Sequence, residues 1–160
     1  MPDYFLGAGG HRLTMLQLVQ EIRNFMLEGP GFRYRITIGS DSQLLNDKSA
    51  DFVTAIVVHR IGAGGRYFYR RGSISPFHTL RDRIIREVLL SLETATETMK
   101  ALADANSPDF EFEVHADVGA NGPTNAMMSE VVGMIRAYNF APRVKPDSYA
   151  ATSVADKYTA

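Results

Sequence analysis

The sequence predicts one α/β domain on a mixed sheet: three strands in antiparallel succession, then alternating helix and strand. Three observations support this. Residues 34–74 hold three runs of alternating or β-branched residues divided by turn formers. Residues 76–103 change to apolar positions three and four apart, the helical period. From residue 110 onward, alternation returns and is followed by a second helical stretch.

In order, residues 1–11 carry Gly7, Gly9 and Gly10 and no period, so a loose arm is expected. Leu13, Leu16, Val19, Ile22, Phe25 and Met26 then mark an amphipathic helix from Leu13 to Leu27, stopped by Gly29-Pro30-Gly31. These first 31 residues precede a core expected over 33–160. Tyr34, Ile36 and Ile38 alternate with Arg35, Thr37 and Gly39, so a strand is expected to end near Asp41. Asp51–Ile61 is a second strand, Gly62–Gly65 a hairpin turn and Arg66–Ile74 a third strand. The long helix is expected from Pro76 to about Ala103, with Leu80, Ile84, Val88, Leu92 and Met99 on one stripe that Ile85 and Leu89 widen. Phe110–Asp117 is a fourth strand, and Thr124–Tyr138 a helix after the turn at Gly119–Pro123. Ala141–Val144 has the character of a fifth strand, and Asp147 or Ser148 can cap a last helix toward the chain end.

Composition narrows the function. At 160 residues the chain is long enough for a full core without disulfides, which zero cysteines rule out along with thiolate metal sites. No apolar run approaches the roughly 20 residues of a membrane span, and no export signal is recognisable, so a cytoplasmic protein is expected. A net charge of -1 argues against indiscriminate binding of polyanions, though not against a local basic surface.

Two strands end on aspartate. Asp41 shares parity with Arg35 and Thr37, and Asp117 with Glu111, Glu113 and His115. If the strands are parallel neighbours, both carboxylates leave the sheet at one end, and Arg35 can offset Glu111 or Glu113 across the pair. Two such carboxylates make half of a hard-cation site. Glu87 lies at the border of the long helix's apolar stripe and can reach toward the strand ends; Asp82 and Glu93 are the fallback choices. Glu87 is otherwise a surface residue paired with Arg83 or Arg86, and Asp156, between Ala155 and Lys157, is open to the same reading. His115 is a metal ligand, a proton shuttle or a packed sheet residue, the last being the simplest.

The pattern resembles the ribonuclease H-like fold, the superfamily of ribonuclease H, retroviral integrases and Holliday-junction resolvases. Its acids map onto Asp41 in GSDSQ, Glu87 in REVLLSLE, Asp117 in VHADVG and Asp156 in VADK. More narrowly, GSDSQ, HADVGANGPTN and KPDSYAATSVADKYT resemble a YkuK-type bacterial family described only as ribonuclease H-like. The resemblance covers residues 33–160 and leaves the N-terminal helix as an addition.

What the resemblance implies is a two-metal nuclease acting on RNA, DNA or their hybrid. Asp41 would bridge the ions, Glu87 and Asp117 would hold one, and Asp156 the other. Carboxylates about 4 Å apart repel by roughly 4 kcal/mol per pair at an effective dielectric of 20, which divalent ions relieve. Oxygen ligands without cysteine favour Mg²⁺ or Mn²⁺. For substrate, seven arginines between Arg60 and Arg86 stand among Tyr67, Phe68, Tyr69 and Phe77, and Arg70, Arg71, Arg81 and Lys145 are the expected contacts. The same arginines and tyrosines also read as a solvated sheet edge. Two rivals are a non-catalytic nucleic-acid- or protein-binding module on this fold, and an oligomerising protein using Met127, Met128 and Met134. The sequence leaves the oligomeric state open.

Overall fold

The computed structural model describes residues 1–76 and 79–148. Strands β1 (Phe5–Gly7) and β2 (Arg12–Leu13) precede helix α1 (Met15–Glu28). Strands β3 (Tyr34–Leu44), β4 (Ala50–Arg60) and β5 (Gly65–Ile74) follow, then helix α2 (Leu80–Asp104) and strand β6 (Glu111–His115). A short 3₁₀ turn (Asn125–Met127) leads into α3 (Met128–Ala137), and β7 (Ala141–Arg143) is the last described strand. The expected helix beyond Pro146, Asp156 included, lies outside the described residues.

The sheet order is β2-β1-β5-β4-β3-β6-β7. β3, β4 and β5 are successively antiparallel, whereas β6 runs parallel to β3 and β7 parallel to β6. This is the expected mixed sheet, and Ala141–Arg143 is indeed its fifth core strand. The first residues depart from expectation. Phe5–Gly7 is not a loose arm but pairs with β2 and β5, and Phe5 is fully buried. A three-residue strand is too short to show a period, so only its burial reveals it.

One face of the sheet carries the helices. Tyr34, Ile36 and Ile38 of β3 join Ile56, Val58 and Phe68 under Ile84, Val88 and Leu92 of α2, with Leu18, Ile22 and Met26 of α1 in the same core. Leu80 and Leu89 of the expected stripe stay exposed, because α2 presents a narrower band than the sequence offered. Leu13 belongs to β2, and α1 begins after Thr14, whose hydroxyl accepts from the Gln17 backbone while the Gln17 side chain accepts from the Thr14 N–H. Thr14→Ala should therefore cost about 1 kcal/mol in denaturant unfolding, and Thr14→Ser almost nothing. The far end of α1 is tied to the start of β3: the Tyr34 hydroxyl donates to the Gly29 carbonyl at 2.7 Å and accepts from Arg60 Nε at 3.0 Å. That places the end of α1 at the opposite end of β3 from Asp41.

Met127 is buried, whereas Met128 and Met134 pack only half-buried against the core, short of the full burial that would remove the support for a methionine-lined interface. Among the described residues no helix is long and apolar enough to cross a membrane.

Candidate carboxylate site

Strand β3 does not end at Asp41 as expected. Its ladder with β4 continues to Leu44, with Asp41 opposite Val53, while its pairing with β6 stops at Ile38–Val114. Asp41 thus lies where β3 keeps one neighbour and has passed the other. The β3–β6 register runs from Arg35–Glu111 to Ile38–Val114, and three more steps bring the chain to Asp41 and Asp117. Strand β6 ends at His115, two residues before Asp117, where the Ala116 N–H makes its last ladder bond to the Arg143 carbonyl of β7. Arg35 bridges Glu111 at 3.0 Å and Glu113 at 3.5 Å, the expected offset.

Glu87 is buried beneath α2 rather than paired on the surface, and it accepts a 2.6 Å hydrogen bond from the Ser42 hydroxyl. Ser42 was not among the expected site residues. The clue was present: Ser40 and Ser42 share the parity of Ile36 and Ile38, so both must face the helix. Ser40 meets Ser91 at 2.7 Å and Thr54 at 2.8 Å, extending this polar layer under α2. Arg83 donates to the Ser42 hydroxyl at 3.3 Å and carbonyl at 3.4 Å. The fallback residues Asp82 and Glu93 are exposed.

The three acids are close enough to act on one another electrostatically. Burial is the main cause pushing the Glu87 carboxyl well above the usual range, and the charges of Asp41 and Asp117 push the same way. Ser42 and Arg83 oppose them. Lys145 Nζ lies 2.9 Å from Asp117 Oδ1. That contact holds the ammonium above its ordinary range, with Asp41 and Glu87 adding to it. Three acids and one lysine thus share one electrostatic neighbourhood. Among the described residues, no group of three or more His, Asp or Glu is drawn tightly enough to coordinate a metal ion. The donor chemistry, three oxygen acids with mutual repulsion, nonetheless suits a hard divalent cation.

The arginines are mostly used within the fold. Arg60 and Arg66 cover the Phe25 ring at 4.0 and 4.4 Å. Arg70 is buried, stacked 4.6 Å over Phe5, and donates to Thr94 at 2.7 Å, so it is not presented to solvent. Arg71 pairs with Asp51 at 2.7 Å, and Arg81 with Glu130 at 2.8 Å. A run of like charge along the chain says nothing about which side each residue takes.

His115 is a packed sheet residue, buried with Nε2 3.1 Å from Glu113. Burial lowers its affinity for a proton. It helps line a cavity of about 610 Å³ with Thr37, Tyr67 and Arg143. None of Asp41, Glu87 and Asp117 lines that cavity. Charge convergence, not cavity size, locates the site.

A family model described as ribonuclease H-like matches residues 17–160. The chain is also 31% identical over 172 residues to "Uncharacterized protein YkuK" of Bacillus subtilis (strain 168), and the alignment covers 99% of each protein. No solved structure matches the chain.

Proposed function

We propose, because this chain belongs to the ribonuclease H-like family, that it is a cytoplasmic divalent-metal-dependent nuclease hydrolysing phosphodiester bonds of RNA, DNA or their hybrid. The observation that supports the reading is the convergence of Asp41, Glu87 and Asp117: burial raises the proton affinity of Glu87, and the charges of the two aspartates add to it. Asp41, Glu87, Asp117 and, beyond the described residues, Asp156 would hold Mg²⁺ or Mn²⁺. Such ions supply an activated water and charge neutralisation at the leaving oxygen of a phosphodiester. The chain's own residues do the positioning. Ser42 fixes one oxygen of Glu87, and Arg83 holds Ser42 in turn. Lys145, Arg71 and Arg81 stand on the surface for backbone phosphates, each first exchanging an acidic partner.

Thermal unfolding with and without millimolar Mg²⁺ or Mn²⁺ tests the metal site. Wild type should gain about 3 °C or more, since a ligand of the native state stabilises it by mass action. Asp41→Asn should unfold at a higher midpoint than wild type without metal, because one repelling charge is gone, and should lose most of the metal response. A metal response then calls for cleavage assays on RNA, DNA and hybrid.

The Lys145–Asp117 ion pair favours a second reading, a non-catalytic binding module whose acids are neutralised from within. Wild-type protein indifferent to both metals would put that reading first.

A further inference from the structure

We propose that the Lys145 ammonium and a divalent cation compete for the Asp117 carboxylate, so that metal loading releases Lys145 toward a substrate phosphate. The inference rests on the metal-site reading above and adds a coupling between metal and substrate binding.

Lys145 is delivered to Asp117 by its surroundings. Its backbone N–H donates to the Val118 carbonyl at 2.8 Å, which fixes its Cα beside the segment that carries Asp117. Its stem runs over Gly119: a Cβ there would stand 3.0 Å from Lys145 Cβ and 3.5 Å from Cδ. A glycine at 119 therefore leaves the lane along which the ammonium reaches Oδ1 at 2.9 Å. The ammonium also feels Asp41 and Glu87, so it answers the same three acids that would hold a metal. Arg83, the other cation acting on Glu87, is anchored on Ser42. Lys145 is thus the cation placed to give way. Its side chain is 56% exposed and that of Asp117 34%, so the pair is readily broken and the freed amine has water to move into. A divalent ion, with twice the charge and several ligands, displaces a monovalent amine held by one contact.

Two measurements on the full chain test this. The Mn²⁺ dissociation constant fitted to the rise of the unfolding midpoint with metal concentration should be about three- to fivefold lower in Lys145→Met than in wild type, the equivalent of losing one exposed ion pair. In native wild type, reductive methylation of Lys145 followed by mass spectrometry should speed up when Mg²⁺ is added. Lys48 and Lys100, both exposed, serve as internal references. Midpoints that rise with metal while Lys145 methylation stays constant would overturn the competition and leave the metal site standing, whatever Lys145→Met does to affinity. Equal Mn²⁺ dependence in the two proteins would overturn it as well. No midpoint rise in either protein overturns both the competition and the metal site.

Discussion

Phe5→Ala should lower the free energy of unfolding by about 3–5 kcal/mol, a core-sized loss from a residue at the edge of the chain. Phe5 is fully buried although its strand has only three residues. Its ring lies 4.6 Å beneath the Arg70 guanidinium, and Arg70 is itself buried. Truncation would remove the apolar contacts and leave a cavity beside a buried charge, two costs that add. Arg70 would keep Thr94 at 2.7 Å and the more distant Glu97 at 3.8 Å. Urea unfolding gives the comparison, with Leu16→Ala as a control on a side chain that is 76% exposed and should shift little. A loss below about 1 kcal/mol for Phe5→Ala would mean that β1 lies outside the cooperative unit.

Glu87→Gln should flatten the pH dependence of stability and make the protein more stable at neutral pH. The folded carboxyl is raised above its ordinary value of 4.5, first by burial and then by Asp41 and Asp117. Below that value Glu87 is protonated in both folded and unfolded chains, and its contribution is constant. As pH rises toward the raised folded value, the unfolded chain releases its proton while the native one keeps it, so stability falls. The slope from one such group is at most about 1.4 kcal/mol per pH unit. Glutamine has no proton to lose and still accepts from Ser42, so the variant's advantage should grow across the window and then level off. Parallel stability curves for the two proteins between pH 4 and 8 would remove the case for a strained carboxylate. The same variant should also weaken the metal response, which separates a strained ligand from a merely buried acid.

The sheet's centre was legible because its strands are long: Tyr34, Ile36 and Ile38 repeat every second residue, and Asp51–Ile61 is dense in β-branched residues. Helix geometry placed Glu87 only at the border of the apolar stripe, where a surface pairing with Arg83 or Arg86 stayed open, and the family resemblance was needed to single it out. Ser42 was hidden because a single hydroxyl looks like turn chemistry until the strand is seen to run on to Leu44. The strand does so because β4 stays paired with it after β6 has ended, a tertiary effect that no local pattern encodes. Arg70 shows the opposite failure. Beside Arg71 it reads as surface charge, yet alternation sends one inward to Phe5 and the other outward to Asp51.

The two ends of the described sheet bear on behaviour in concentrated solution. β2 has two residues, and β7 has three with Pro142 at its middle. A strand so short offers an incoming chain few hydrogen bonds, and proline removes one donor. Growth of the sheet by adding strands from another molecule is therefore disfavoured at both margins. A protein with 45% hydrophobic residues and almost no net charge has little electrostatic protection against precipitation. Its blunted margins supply that protection by geometry instead.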